Sequence, residues 1–251
     1  LKKLLQILNI LFFTATIYVN YASSVGLFNN STQAAISGKY QTLFTPASYG
    51  FSIWGIIYLL LLGFVIYQSR SLFVSVSDDR FIEKTGGWFI LSCIANSLWC
   101  YLFVCDYILL STFVIFFILF CLLQIVLRNK IKRYKAPITT IVFLWWPFII
   151  YSGWLTVACI ANVTIYLTKI GWDGWGLSPQ GWTFILIGIA TLLNLIVTWR
   201  QNMREFALVG AWGLVAIGVA NTESYQAITQ MAYVCAGLLI VSCGIHAIKS
   251  K

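Results

Sequence analysis

Two amides, Asn96 and Asn162, set the chemical question in this sequence. Each sits inside a long apolar run and shares a helical spacing with tryptophan. In NSLWCYLF, Asn96, Trp99 and Phe103 are spaced i, i+3, i+7; in YSGWLTVACIAN, Tyr151, Trp154, Ala158 and Asn162 follow i, i+3, i+7, i+11. A third stretch, FTPASYGFSIWGIIY (44–58), runs from a Thr-Pro turn into Phe51, Trp54 and Tyr58, again at i, i+3, i+7. Residues so spaced lie on one helix face. An amide left unpaired in hydrocarbon costs roughly 2–7 kcal/mol, so Asn96 and Asn162 must face a bundle interior or a cavity. They carry Trp99 and Trp154 inward with them. If the 44–58 face does likewise, indole and phenol rings with a few amides wall a cavity. Such a cavity suits a planar, largely apolar ligand, which rings sandwich while scattered polar groups fix its orientation. The same spacings fit a plainer arrangement, in which Trp and Tyr form an interfacial belt and the amides bridge helices.

Other chemistries find little support. Seven Cys residues lie in or beside apolar runs with no CxxC among them, and they suit packing better than a disulfide framework. The single His, His246, has no second ligand at i±3 or i±4, so no metal site is expected; a haem-ligand role is the remaining use for it. Hydrolytic or metal catalysis would need a carboxylate, His or Cys cluster that the spans do not assemble, and no catalytic residue is assigned. Ion-coupled transport usually places a charged residue mid-span, and none stands there. A retinal protein would need a buried amine, but the last apolar run meets no Lys before Lys249.

The elements that must position these residues follow from composition. The chain of 251 residues is 60% hydrophobic and 9% charged, and apolar runs recur from end to end. They are continuous rather than alternating, which predicts an all-α integral membrane protein, not a barrel. Eight spans are expected, at 4–22, 51–68, 86–105, 107–127, 138–167, 181–199, 205–220 and 227–247, the seventh being short. Of the 16 Lys and Arg, only Lys39 and Lys169 fall on the outer side of this arrangement. That bias places both termini, Lys249 and Lys251 included, in the cytoplasm. It also makes the basic run 128–135 a topology determinant touching anionic headgroups, so no nucleic-acid partner is expected. The first apolar run is long for a signal-peptide core, which favours an uncleaved first helix over a cleaved leader. The third and fourth spans should form an antiparallel hairpin with Asp106 at its corner. An outer segment, TKIGWDGWGLSPQGW (168–182), groups three Trp among Gly and Pro, as an interfacial belt or as a lid. Residues 181–247 are richer in small residues such as Gly210, Ala211, Gly213 and Gly218, which suit close helix packing or oligomerisation.

Three motifs in register resemble the TspO/MBR family, the tryptophan-rich sensory or translocator proteins. The family's second helix opens on a W-x-P-P-x-W segment leading to V-W-x-x-L-Y; here TPASYGFSIWGIIY sets Trp54 and Tyr58 in the W-x-x-x-Y positions. Its third helix carries N-x-x-W, met by Asn96 and Trp99, and WLTVACIAN keeps the fifth helix's Trp154, Ala158 and Asn162. The double proline becomes Pro46-Ala47, Tyr49 replaces a tryptophan, one residue is missing before Trp54, and Val157 and Ala161 replace Phe and Leu. The resemblance covers residues 1–167 and implies a five-helix bundle there, with 168–251 as a membrane extension of about three helices. It implies a cavity for a tetrapyrrole such as protoporphyrin IX or haem, or for a sterol-like compound. Its wall would be Tyr58, Asn96, Trp99, Tyr151, Trp154, Ala158 and Asn162 with Trp54, and Tyr49 would stand near the mouth. The family's members are described as sensors, regulators or transporters, commonly dimeric, and light-dependent porphyrin breakdown has been attributed to some.

The reading is therefore a membrane receptor, sensor or carrier for a planar apolar ligand, in a plasma or inner membrane, with the bilayer and a second copy as partners. A facilitative transporter of a small amphipathic compound, or a ligand-free assembly subunit, remains open beside it.

Overall fold

With no water in the bilayer core, a spanning segment has to satisfy its own backbone, and here helices do so. The computed structural model describes residues 1–76 and 78–249; among them are nine helices and no strand. They are α1 (Lys2–Ser24), α2 (Gln33–Lys39), α3 (Ile53–Ser69), α4 (Phe81–Val104), α5 (Ile108–Arg128), α6 (Ile138–Lys169), α7 (Pro179–Gln201), α8 (Arg204–Ala220) and α9 (Gln226–Lys249). The protein is an all-α membrane protein. All except α2 and α8 are long and apolar enough to cross a bilayer, α3 together with its flanking 3-10 turns. The seventh expected span, α8, has 17 residues. At 1.5 Å per residue it reaches about 25 Å, short of a hydrocarbon core of about 30 Å. Lys251, counted above with the cytoplasmic charges, lies outside the described residues.

Local chemistry explains the element ends. Ser178 caps α7, its hydroxyl accepting from the Gly181 N–H at 3.1 Å, with Pro179 in the first turn, where a missing donor costs nothing. Pro147 lies inside α6, and the turn before it, Ile141–Trp145, opens into a π-helix. A widened turn of this kind accommodates a ring that has no N–H to give the ladder. Asp106 turns the α4–α5 corner at φ 65°, a left-handed conformation that Asp tolerates better than most residues.

The chain forms two compact units, residues 1–36 with 55–152, and residues 37–54 with 153–251. In the first, α4 packs against both α1 and α5. Phe64, Phe89 and Phe148 meet edge-on, with ring centroids 4.9–6.0 Å apart, and all three are buried. The start of α1 is tied down by charge: Lys2 Nζ lies 2.6 Å from Asp79 Oδ1.

In the second unit α7, α8 and α9 pack against one another. Glycine makes the approach close. A Cβ on Gly213 would touch Val157, one on Gly218 would collide with Tyr233, and one on Gly210 would fall on the Asn194 amide, itself buried. The small residues of α8 are therefore packing surface, which is why most of this short helix is buried. Helix α8 also grips the segment before α3. The Ala47 N–H donates to the Ala216 carbonyl at 3.0 Å, Trp212 Nε1 to the Gly50 carbonyl at 3.0 Å, and Asn221 Nδ2 to the Leu43 carbonyl at 2.9 Å.

Gly210→Val is expected to destabilise the protein by about 1–3 kcal/mol, the usual cost of overpacking. Gly188→Ala, on the open side of α7 with nothing near its Cβ, should be neutral or slightly stabilising. Thermal unfolding in detergent checks both. The hydrogen bond from Lys2 holds the Asp79 carboxyl below its ordinary value. Its contribution is therefore present above the unfolded carboxylate pKa of about 3.9 and disappears as pH falls through the depressed folded value. The protection factors of amides at the start of α1, taken against the intrinsic exchange rate at each pH, should fall over that interval in the wild type and be insensitive to it in Asp79→Asn.

Candidate ligand-binding site

Asn96 is the polar centre of the first unit. It is 1% exposed in the middle of α4, and its side chain is fully engaged. Its Nδ2 donates to the Tyr151 hydroxyl at 2.7 Å. Its Oδ1 accepts from Asn20 Nδ2 at 2.8 Å, from the Tyr58 hydroxyl at 3.4 Å and from Cys100 Sγ at 3.8 Å. One amide thus joins α1, α3, α4 and α6. The burial cost predicted from sequence is met by protein partners, and Asn96 fixes the placement of the Tyr58 and Tyr151 hydroxyls. Trp99, one turn on, is buried and stacks on Phe103 with centroids 5.3 Å apart.

Tyr58 also belongs to a groove of about 1170 Å³ between α1 and α3. The groove is lined by apolar side chains of both helices, with Phe13, Tyr18, Tyr21, Tyr58 and Phe73 as its aromatic members and Ser69 and Arg70 at one end. Ile17, Tyr18, Tyr21, Leu59, Leu62, Ile66 and Phe73 are exposed, so the groove opens on the protein's surface. Beside that end, Gln6 Nε2 donates to the Gln68 carbonyl at 2.5 Å and to Ser71 Oγ at 2.8 Å, while Gln68 Nε2 donates to Ser69 Oγ at 3.1 Å.

The remaining expected site residues belong to the second unit. Trp154 is 1% exposed, meets Phe51 edge-on at 6.0 Å, and its Nε1 is buried without a hydrogen-bond partner. Asn162 is buried, and Trp54 and Ala158 are half-buried. Tyr49 sits on the 3-10 turn Ser48–Ser52, with its ring edge-on to Trp212 at 5.5 Å. Because α3 begins only at Ile53, Phe51 lies on this tighter turn rather than on one continuous α-helical face with Trp54 and Tyr58. Of the nine expected residues, hydrogen bonds bring Tyr58, Asn96 and Tyr151 together. Trp172, Trp175 and Trp182 also cluster, with centroids 5.1–6.3 Å apart, and Trp182 Nε1 donates to the Gly174 carbonyl at 2.8 Å.

Sequence reasoning missed Asn20, Tyr18, Tyr21 and Arg70. The signal for Asn20 was present, an amide near the end of the first apolar run. Nothing in the spacing showed that α1 would face Asn96.

A family model described as TSPO-like protein matches residues 6–245. The chain belongs to the TSPO-like protein family. The match runs past residue 167, where the resemblance in motifs stops, and takes in α7, α8 and most of α9. Comparisons with curated proteins and with solved structures each return no match. In this TSPO-like protein the N-x-x-W motif contributes in two ways. Asn96 is a junction of four helices, and Trp99 is core.

Asn96→Leu would remove one hydrogen-bond partner from the buried Tyr151 hydroxyl and one from the half-buried Asn20 amide. A loss of about 1–3 kcal/mol is expected. Tyr58→Phe, which removes only the longest of the oxygen contacts, should cost less. Thermal unfolding of the purified variants separates the two.

Proposed function

We propose that this TSPO-like protein is a membrane receptor or carrier for a planar, largely apolar ligand. A tetrapyrrole such as protoporphyrin IX or haem is the first class to try, and a sterol-like compound the second. The observation that carries the reading is the groove on α1 and α3, whose wall residue Tyr58 is tied through its hydroxyl to Asn96. Its volume of about 1170 Å³ lies above the roughly 300–1,000 Å³ of ordinary small-molecule sites, which leaves room for a large flat ring system. Five aromatic residues in the lining supply flat apolar surface. Family membership supports sensing or ligand binding in general. Trp99 and Tyr151 are the proposed companions of Tyr58 and Asn96 in the first unit, and Tyr49, Trp54, Trp154, Ala158 and Asn162 of the second unit are proposed on the family resemblance alone. Among them the unpaired Trp154 N–H is a donor that a ligand oxygen could take up. A plasma or inner membrane is the proposed location, with a second copy as partner.

The surface opening of the groove also favours facilitated movement of such a compound. A ligand dissolved in the bilayer reaches the groove sideways, with no need of a coupling ion.

Titration of the purified protein in detergent with protoporphyrin IX and with haem, followed by intrinsic Trp fluorescence, tests the reading. Saturable quenching, weakened by Tyr58→Phe, Trp154→Phe or Asn162→Ala, is the expected result. Quenching that never saturates, or that ignores all three substitutions, removes the planar ligand and favours an assembly role.

A further inference from the structure

We infer that the ligand of the α1–α3 groove carries an acidic group and that Arg70 receives it. The inference rests on the planar-ligand reading above and adds the chemistry of the ligand's edge.

The groove has a polarity gradient. Tyr18, Tyr21 and Gly55 line it toward the end of α1 and the start of α3, and Ser69 and Arg70 line it where α3 finishes. Residues 55–69 of a helix span about 21 Å, longer than half of a hydrocarbon core of about 30 Å. An occupant therefore lies along a largely apolar trough and meets the charged member of its lining, Arg70, at one end. The bias of the 16 Lys and Arg makes that end cytoplasmic.

Arg70 is held ready there. Its guanidinium lies over the Tyr67 ring, 3.7 Å from the centroid. The Tyr67 ring in turn stacks on Phe81 and on Phe143, each at 5.5 Å. A guanidinium laid flat on a ring keeps its in-plane N–H edge for a carboxylate or phosphate fork. The acids nearest in sequence are already engaged, Asp78 by Arg80 at 3.0 Å and Asp79 by Lys2 at 2.6 Å. Among the described residues no carboxylate forms an ion pair with Arg70. A fixed cation without a protein counter-charge, at the end of an apolar trough, calls for an anion on an otherwise apolar molecule. Aromatic lining favours a flat body over an acyl chain, because rings give stacking surface that a flexible chain does not exploit. The occupant is a planar apolar acid.

The test compares protoporphyrin IX, which has two carboxylates, with its dimethyl ester, using the full chain in nanodiscs of neutral phospholipid. Wild type, Arg70→Gln and Arg70→Lys are titrated with each compound. The acid is expected to lose about tenfold in affinity in Arg70→Gln, with the ester unchanged and Arg70→Lys intermediate. An equal change for acid and ester, or none for either, overturns the assignment of Arg70 while leaving the planar-ligand reading in place. Failure of both compounds to saturate the wild type overturns that reading and this inference together. Acid binding lost when anionic phospholipid is added to the nanodisc, with that phospholipid retained by wild type and released by Arg70→Gln in native mass spectrometry, shows a lipid headgroup as the true occupant and also overturns the inference.

Discussion

A polar group buried in hydrocarbon has no water to turn to, and the placement of the first unit's helices follows from where its few amides find partners. Asn96 is the clearest case. Its two amide ends face four helices, and each partner comes from a different part of the chain: Asn20 from α1, Tyr58 from α3, Cys100 from its own α4 and Tyr151 from α6. Apolar contacts between membrane helices discriminate poorly between one rotation and the next, since lipid tails are as apolar as leucine. A hydrogen-bonded amide does discriminate. Rotating α3 or α6 would withdraw a hydroxyl and strand the amide, so the aromatic rings of Tyr58 and Tyr151 are oriented as a consequence of polar pairing.

The second unit uses another device. There the close approach of α8 to its neighbours depends on an absence of side chains, with Gly210, Gly213 and Gly218 each standing where a Cβ would meet Asn194, Val157 or Tyr233. Close backbones expose carbonyls and indole donors to one another, and α8 uses these to hold residues 43–50 by hydrogen bonds from Ala47, Trp212 and Asn221. The segment that carries Pro46 and Tyr49 is therefore anchored by the last part of the chain. This gives the C-terminal helices a physical role, and the family match, running to residue 245, includes them.

Charge is sparse and correspondingly informative. Lys2 pairs with Asp79 and Arg80 with Asp78, while Arg70 stacks on Tyr67. In a chain with 7 acidic residues against 16 basic ones, most cations have to be met by headgroups or solvent. Arg70 differs in lining a groove.

The sequence by itself determined the class of the protein, the positions of its long helices and the inward direction of Asn96, while the short α2 lay outside every expected span. These depend on transfer of apolar residues and amides between water and hydrocarbon, which is a property of each segment taken alone. It also marked α8 as short and Asp106 as a corner, both local matters of length and turn chemistry. Only the tertiary structure decided which residues meet. The groove on α1 and α3, the reach of Asn20 to Asn96, the stacking of Tyr67 on Phe143 and the hold of α8 on residues 43–50 all join positions dozens to more than a hundred residues apart. A helical period shows which side chains share a face but says nothing of which helix that face will find.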